Sequence, residues 1–165
     1  MSNEDPPGYA IRPARAGDVP TILRFVRELA EFERLAHEVA AEEATLAHNL
    51  FGPRAYAECL LAEADGVAVG FALFFHNFST FLGKPGLYLE DIYVVPAARR
   101  LGIGKAFFKE LAAIAVARDC GRMEWSVLDW NERAIAFYRQ LGAEAMTDWT
   151  IQRLGRGRVE ALAKG

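Results

Sequence analysis

Two glycines and three basic residues meet at residues 99–105, RRLGIGK, between a strand-like segment and an amphipathic run. Gly102 and Gly104 would open a helix, where the first N–H groups have no carbonyl partners and the helix dipole is positive. Arg99, Arg100 and Lys105 add positive charge there. Because glycine lets a phosphate approach such amides closely, the stretch predicts a diphosphate-binding turn.

Other interpretations of the two glycines fit less well or stay open. A dinucleotide-binding G-x-G-x-x-G turn needs a third glycine, but Phe107 stands at that position. A Walker A loop needs a hydroxyl residue after Gly-Lys and a further glycine before it, and Ala106 and Arg99 fail these requirements. A plain strand-to-helix turn that contains glycine remains open.

Residues that can move protons occur on both sides of this turn. Glu90 and Asp91 are adjacent in the segment before it, and both can line one cleft only if the strand has a bulge there. Otherwise they are a solvent-facing pair on a strand edge. Asn131 and Tyr138 follow the turn, and their spacing alone favours a helix cap and a core tyrosine.

The composition is that of one folded domain. The 165 residues are 52% hydrophobic and 25% charged with a net charge of −3, so we expect a single domain over residues 1–165, loosely ordered at 1–8 and 156–165. The charge gives no drive toward nucleic acid or a membrane surface. Short apolar runs and the polar start MSNEDPPGYA predict no membrane span and no secretory leader, hence a cytoplasmic protein.

Metal chemistry is not expected. Cys59, Cys120 and the three histidines lack the spacing of metal ligands. Both thiols are predicted to pack like small hydrophobic side chains.

The order of the elements predicts the fold class. Strands are expected at residues 9–14, in a hairpin around Asp65-Gly66, and at 84–96, 122–130 and 143–154. Helices are expected at 16–35, with Asp18 as N-cap, and at 40–50, 103–118 and 131–142, with Gly142 just past the last one. This order gives an α+β or mixed α/β domain whose sheet is antiparallel first and then has a strand-helix-strand crossover.

The chain resembles the GNAT N-acetyltransferase superfamily. The spacing Arg99-x-x-Gly102-x-Gly104, after a strand and before a helix, is similar to that family's acetyl-CoA pyrophosphate loop. IRPA, ELAEFE, YLEDIYV, VLDWNERAIAFYRQLGA and DW resemble the diamine acetyltransferase branch, over about residues 10 to 154. The resemblance implies the GNAT fold, a mostly antiparallel, twisted sheet with splayed central strands, flanked by helices.

The resemblance also implies where acetyl-CoA binds. The strand before the loop holds the pantetheine arm with its backbone, and its N–H groups from Ile92 to Val94 meet the oxyanion. The expected cofactor-binding residues are Ile92, Tyr93, Val94, Arg99, Arg100, Leu101, Gly102, Ile103, Gly104, Lys105, Asn131, Ala134 and Tyr138.

The catalytic roles follow from the same resemblance. Acetyl transfer needs a neutral amine and a proton for the departing thiolate. Because the family's strand is bulged at the acidic pair, Glu90 is expected to take the amine proton, through water, and Asp91 to assist substrate binding. Tyr138 matches the tyrosine that protonates the CoA sulfur, and Asn131 would hold the CoA arm besides capping its helix.

Acids and aromatic rings are expected to bind the acceptor amine. The resemblance places Phe32, Glu33, Glu90 and Asp148 at the amine, and residue type adds Asp91 and Trp125. Each could instead be an ordinary core or surface residue. The stretch FSTFLGKPG favours the thialysine type over the polyamine enzymes.

We therefore predict acetyl transfer from acetyl-CoA to a primary amine of a polyamine, a diamine or a thialysine-like amino acid, by direct attack in a ternary complex. The resemblance adds a homodimer. Two alternatives stay open: a GNAT enzyme acting on a peptide or protein amine or an aminoglycoside, and a non-catalytic acyl-CoA-binding module.

Overall fold

A computed structural model describes residues 8–165 of the chain. The expectations for residues 1–7, loose order and no leader, lie outside the described residues. Contacts divide the chain into two compact units, Met1–Ser126 and Val127–Gly165. Among residues 8–165, none of the helices has the length and hydropathy that a membrane span requires.

The first unit is built on a mixed sheet. Its elements are β1 (Ala10–Pro13), α1 (Val19–Phe32), α2 (Glu43–Phe51), β2 (Glu58–Ala64), β3 (Val67–Ser79), β4 (Lys84–Val94), α3 (Ile103–Ala117) and β5 (Met123–Trp125). The described strands form one sheet in the order β1-β2-β3-β4-β5. The first four pair antiparallel, and β4 pairs with β5 in parallel across the α3 crossover, which confirms the predicted fold class.

The hairpin between β2 and β3 turns at the predicted dipeptide. Asp65 and Gly66 have φ values of 50° and 74°, so both adopt the left-handed conformation. A two-residue turn of this kind matches the right-handed twist of the paired strands. The turn thereby sets the register of β2 on β3.

The sheet has two differently covered faces. The α1 face carries Cys59, Leu61, Phe71 and Tyr93, which pack in one buried cluster with Ile22 and Phe25 of α1. The α3 face carries Phe74, its cross-strand partner Leu89 and Trp125, whose ring meets Phe108 of α3. Each large side chain that leaves water here contributes about 1.5 to 3 kcal/mol.

A β-bulge changes the direction of β4 at Glu90. Leu73 of β3 pairs with Asp91, and the next residue, Phe74, pairs with Leu89, so Glu90 is one residue too many on β4. Leu89 therefore points to the α3 face, like Phe74, and Asp91 points to the α1 face, like Leu73. The bulge implied by the family resemblance is present.

Asp18 corrects one expected detail of the first unit. It stands just before α1, and Pro20 lies in the first turn as predicted, but its side chain makes no cap bond to that helix. Its carboxylate instead accepts the backbone N–H of Arg15 at 2.7 Å and pairs with Arg12 at 2.7 Å. This ion pair lowers the pKa of Asp18.

Two strands expected after residue 121 are shorter than predicted or absent. The second unit holds α4 (Glu132–Gln140) and α5 (Arg156–Ala163), with Gly142 at φ 86° confirming the predicted helix end. The strand predicted at 122–130 is limited to β5, because the β4 bulge ends the pairing. No strand forms at 143–154, and every residue from 144 on is exposed. Residues 156–163 are helical and exposed, and the loose order expected there stays a prediction.

Candidate active site

The glycine turn has the backbone expected of an anion site. Gly102 has φ 77° and joins a short 3-10 turn, Pro96–Leu101, to α3. A Cβ there would meet no atom within 4 Å, so the left-handed backbone, not lack of space, requires glycine. The first helical hydrogen bond runs from Ala106 N–H to Gly102 C=O at 3.1 Å. The amides of Ile103, Gly104 and Lys105 precede that bond and have no helical carbonyl.

Arg99 faces inward from the turn. Its Nε–H donates to the Val94 carbonyl at 2.9 Å. Its guanidinium carbon lies 5.4 Å from the ring centre of Phe32 and 5.8 Å from that of Tyr93. Arg99 thus joins the end of α1 to the end of β4, whereas Arg100 and Lys105 are exposed. Its role in diphosphate binding stays a prediction.

Beyond the bulge, one edge of β4 is open. β5 pairs only with Leu87–Leu89. Val95 N–H donates to the Val69 carbonyl on β3 at 2.9 Å. Because backbone groups alternate in direction along an antiparallel strand, Tyr93 also faces β3, and Ile92 and Val94 face the open side. Of the three amides predicted to meet the oxyanion, these two are available.

Three carboxylates are near enough at the bulge for the charges of two to act on the third, and we call Glu33, Glu90 and Asp91 the acid cluster. Burial raises the pKa of Asp91 to about 6, and the negative charges of Glu90 and Glu33 add to that rise. Burial also raises the pKa of Glu33. Both charges that act on Asp91 are negative, so a cationic group placed here would be stabilised.

Phe32 and Trp125, the two aromatic residues expected at the substrate, lie apart. Phe32 is the last residue of α1, next to Glu33, and 43% of it is exposed. Trp125 pairs with Leu89 and therefore points to the α3 face, where its ring centre is 4.9 Å from that of Phe108. The structure thus relates Glu33, Glu90 and Asp91 to one another, with Phe32 directly before Glu33, and puts Trp125 on the other face of the sheet.

Cys59 is in the same row of the sheet as Asp91, with Leu73 between them. Burial raises the pKa of its thiol to about 12, so it stays protonated and unreactive, as predicted for a packing residue. Cys120 is partly buried and is also a free thiol. In the described part of the chain, no three His, Cys, Asp or Glu side chains are grouped as metal ligands.

The remaining predicted residues belong to the second unit. Asn131 caps α4, because its Oδ1 accepts the Ala134 N–H at 3.3 Å. Tyr138 lies on the same helix, with its ring centre 5.6 Å from that of Phe137. Asp148 is exposed in the segment after α4. Their roles in binding and catalysis stay predictions.

Sequence reasoning missed a group of side chains next to the acid cluster on the α1 face. We call it the distal array; it consists of Asn77, Tyr88, Arg122, Glu124 and Ser126. Glu124 Oε2 is 2.9 Å from both Asn77 Nδ2 and Arg122 Nε, and Tyr88 Oη is 2.9 Å from Ser126 Oγ. The alternation of polar residues at 122, 124 and 126 could have indicated such a face.

Known proteins resemble the chain in sequence and in fold. The model of the Acetyltransferase (GNAT) family matches residues 23–143. Thialysine N-epsilon-acetyltransferase of Mus musculus is 41% identical, over 84% of this chain and 85% of that protein. L-ornithine N5-acetyltransferase NATA1 of Arabidopsis thaliana is 33% identical, over 93% and 87%. An integron cassette protein from the mobile metagenome of V. cholerae superposes with a TM-score of 0.79 at 25% identity, over 96% and 99%.

Proposed function

The chain belongs to the GNAT acetyltransferase family, and from that premise we propose that it transfers an acetyl group from acetyl-CoA to the primary amine of a small cationic molecule. The observation that carries the choice of acceptor is the acid cluster. Its buried Asp91 has two negative neighbours, so a positive amine relieves repulsion that the fold otherwise sustains.

The glycine turn and the open edge of β4 fit the donor. Members of the family use acetyl-CoA, which supplies the thioester that reacts. We assign its diphosphate to the amides of Ile103, Gly104 and Lys105, where Gly102 turns the chain into α3. Its pantetheine arm is assigned to the unpaired edge of β4 at Ile92 and Val94.

Three groups of the chain handle charge and protons in the proposed reaction. Glu90 is exposed and accepts the proton of the incoming ammonium, through water, so that a neutral amine attacks directly in a ternary complex. The N–H groups of Ile92 and Val94 stabilise the negative charge on the carbonyl oxygen. Tyr138 Oη donates a proton to the departing sulfur, a role that rests on the family resemblance.

The names of the relatives narrow the acceptor. The two relatives in sequence described above are named for thialysine and ornithine, two amino acids with a side-chain amine. We therefore propose a side-chain amine of this kind, or a related diamine, rather than the amine of a peptide, a protein or an aminoglycoside.

An acceptor panel tests the proposal. Thialysine, ornithine, putrescine, spermidine, an N-terminal peptide and an aminoglycoside are each mixed with the protein and acetyl-CoA, and release of the CoA thiol is measured. We expect turnover with small amines. Turnover with the peptide or aminoglycoside alone would overturn the choice of acceptor, and CoA binding without thiol release from any amine would indicate a binding module.

We also propose that the chain forms a homodimer. Large apolar side chains are exposed at the turn between β3 and β4, where Phe81 is 96% exposed, and after α4, where Trp149 is 75% exposed. Exposed apolar surface of this kind is typical of protein interfaces. Light scattering on the protein as it elutes from a size-exclusion column measures its molar mass. A monomer mass at micromolar concentration would contradict the proposal.

A further inference from the structure

The distal array adjoins the acid cluster on the α1 face of the sheet. Phe75 on β3, Tyr88 on β4 and Glu124 on β5 form one row across the strands. The next row along holds Leu73 and Asp91. The ring centres of Phe75 and Tyr88 are 5.1 Å apart. The rings of Phe75 and Tyr88 therefore form an aromatic surface next to the carboxylates that the proposed function assigns to the acceptor amine.

Glu124 is held in place by two side chains. Its Oε2 accepts a hydrogen bond from Asn77 Nδ2 at 2.9 Å and forms an ion pair with Arg122 Nε at 2.9 Å. Gly86 permits this, because a Cβ there would overlap Asn77 Oδ1 and would lie 3.5 Å from Arg122 Cγ. Within the described residues, Glu124 Oε1 and the two Nη groups of Arg122 have no hydrogen bond, although the side chains are 33% and 42% exposed.

An anion and a cation are therefore side by side, each with unused hydrogen-bonding groups. The α-ammonium and α-carboxylate of a free amino acid are the complementary pair: the ammonium suits Glu124, and the carboxylate suits the planar Nη groups of Arg122. A polyamine has only positive groups, and its far end would meet the like charge of Arg122.

The spacing also suits an amino acid with a side-chain amine. Residues two apart on one face of a strand are separated by about 6.6 Å. Phe75 and Leu73 of β3 are such a pair, and they mark the rows of Glu124 and Asp91, so these two rows are about that far apart along the sheet. A chain of four or five single bonds of about 1.5 Å each bridges such a distance.

We propose that the distal array binds the α-amino and α-carboxylate groups of an amino-acid acceptor, whose side-chain amine then reaches the acid cluster. Arg122 and Glu124 would thus determine specificity for amino acids over polyamines. The inference rests on the proposed function and goes further, because that function alone does not separate ornithine from its decarboxylated analogue, putrescine.

The test compares these two acceptors in the wild type, Arg122→Met, Arg122→Lys and Arg118→Met. Arg118 is the matched control: it pairs with Glu58 and is 40% exposed, but that pair lies on the α3 face. kcat/KM is measured for each acceptor, and ornithine binding is measured by calorimetry without acetyl-CoA. Thermal unfolding checks that each variant is folded.

We expect the wild type to prefer ornithine over putrescine by about 10- to 100-fold, the effect of a hydrogen bond between charged groups. Arg122→Met should remove this preference by lowering the affinity and kcat/KM for ornithine. Arg122→Lys should retain part of the preference, and Arg118→Met should leave it unchanged. Equal use of both acceptors by the wild type, or an unchanged ratio in Arg122→Met, would overturn the inference and leave the proposed function intact. If no small amine of the acceptor panel is acetylated, both the inference and the proposed function are overturned.

Discussion

Burial raises the pKa of Asp91, and the charge of its neighbour Glu90 raises it further, although adjacent residues of a regular strand point to opposite faces. The bulge brings them together, because two residues of β4 share the space opposite one residue of β3. Glu90 is exposed and Asp91 is mostly buried, so the two carboxylates differ in chemistry. The exposed one suits proton transfer to water, and the buried one suits attraction of a cation.

Replacing Asp91 by Asn should stabilise the folded protein above pH 6. The pKa of this carboxyl is higher in the folded protein, about 6, than its ordinary 3.8. The folded state therefore holds more protons between these values, and wild-type stability falls as the pH rises through that window. The difference corresponds to at most about 3 kcal/mol.

Denaturant unfolding at pH 4 and pH 7 measures this effect. Asp119→Asn is the control, since that aspartate is 81% exposed and its left-handed backbone also suits asparagine. An Asp91→Asn variant that gains nothing relative to the wild type between the two pH values would contradict the burial of a carboxylate here.

Replacing Glu90 by Gln should lower kcat/KM by about 100-fold at pH 7, the usual range for the loss of a general base. The loss should shrink near pH 10, where much of the free amine is already neutral. Glu110→Gln, on the exposed side of α3, serves as the control. A loss that stays constant with pH would assign Glu90 to binding instead of proton transfer.

Replacing Gly102 by Ala should weaken acetyl-CoA binding beyond its effect on stability. The left-handed backbone at φ 77° costs alanine about 1 to 2 kcal/mol. Gly66→Ala is a matched control, because Gly66 has φ 74° and equally open surroundings. Both variants should unfold at similarly reduced denaturant concentrations, but only Gly102→Ala should raise the KM for acetyl-CoA. Similar KM values for acetyl-CoA in the two variants would contradict the assignment of this turn to the acetyl-CoA site.

Replacing Tyr138 by Phe should reduce kcat by about 100-fold while acetyl-CoA binding is retained, since only the phenolic proton is removed. Tyr56→Phe is the control, an exposed tyrosine with the Arg54 guanidinium over its ring. Stopped-flow measurement of thiol release separates chemistry from product release. Unchanged turnover would mean that another group, or water, protonates the sulfur.

Local sequence patterns were sufficient to predict the structure wherever one short stretch of the chain determines it. Asp65-Gly66 fixes a two-residue hairpin through its left-handed backbone, and Gly142 ends α4 for the same reason. Ile103, Phe107 and Leu111 recur at helical spacing along α3, and all three are fully buried. Each of these signals is contained within a few residues.

Patterns that depend on a distant partner gave wrong or incomplete predictions. The direction of Trp125 depends on its pairing with Leu89, next to the bulge, and no feature of its own segment indicates this. The sequence does not indicate that Arg99, a cation of the turn, also bonds through its Nε–H to Val94. The segment 143–154 has strand-like residues, but no strand among the described residues pairs with it.

Glu90 is the inserted residue of its strand. Before it, Leu89 points toward α3, and after it, Tyr93 points toward α1. Deleting Glu90 would join Leu89 directly to Asp91 and leave a regular strand with both sides unchanged, because these two residues already pair with the neighbours Phe74 and Leu73 of β3. The packing of the two faces therefore does not require the inserted residue, and its loss would remove only the bend that it introduces into β4.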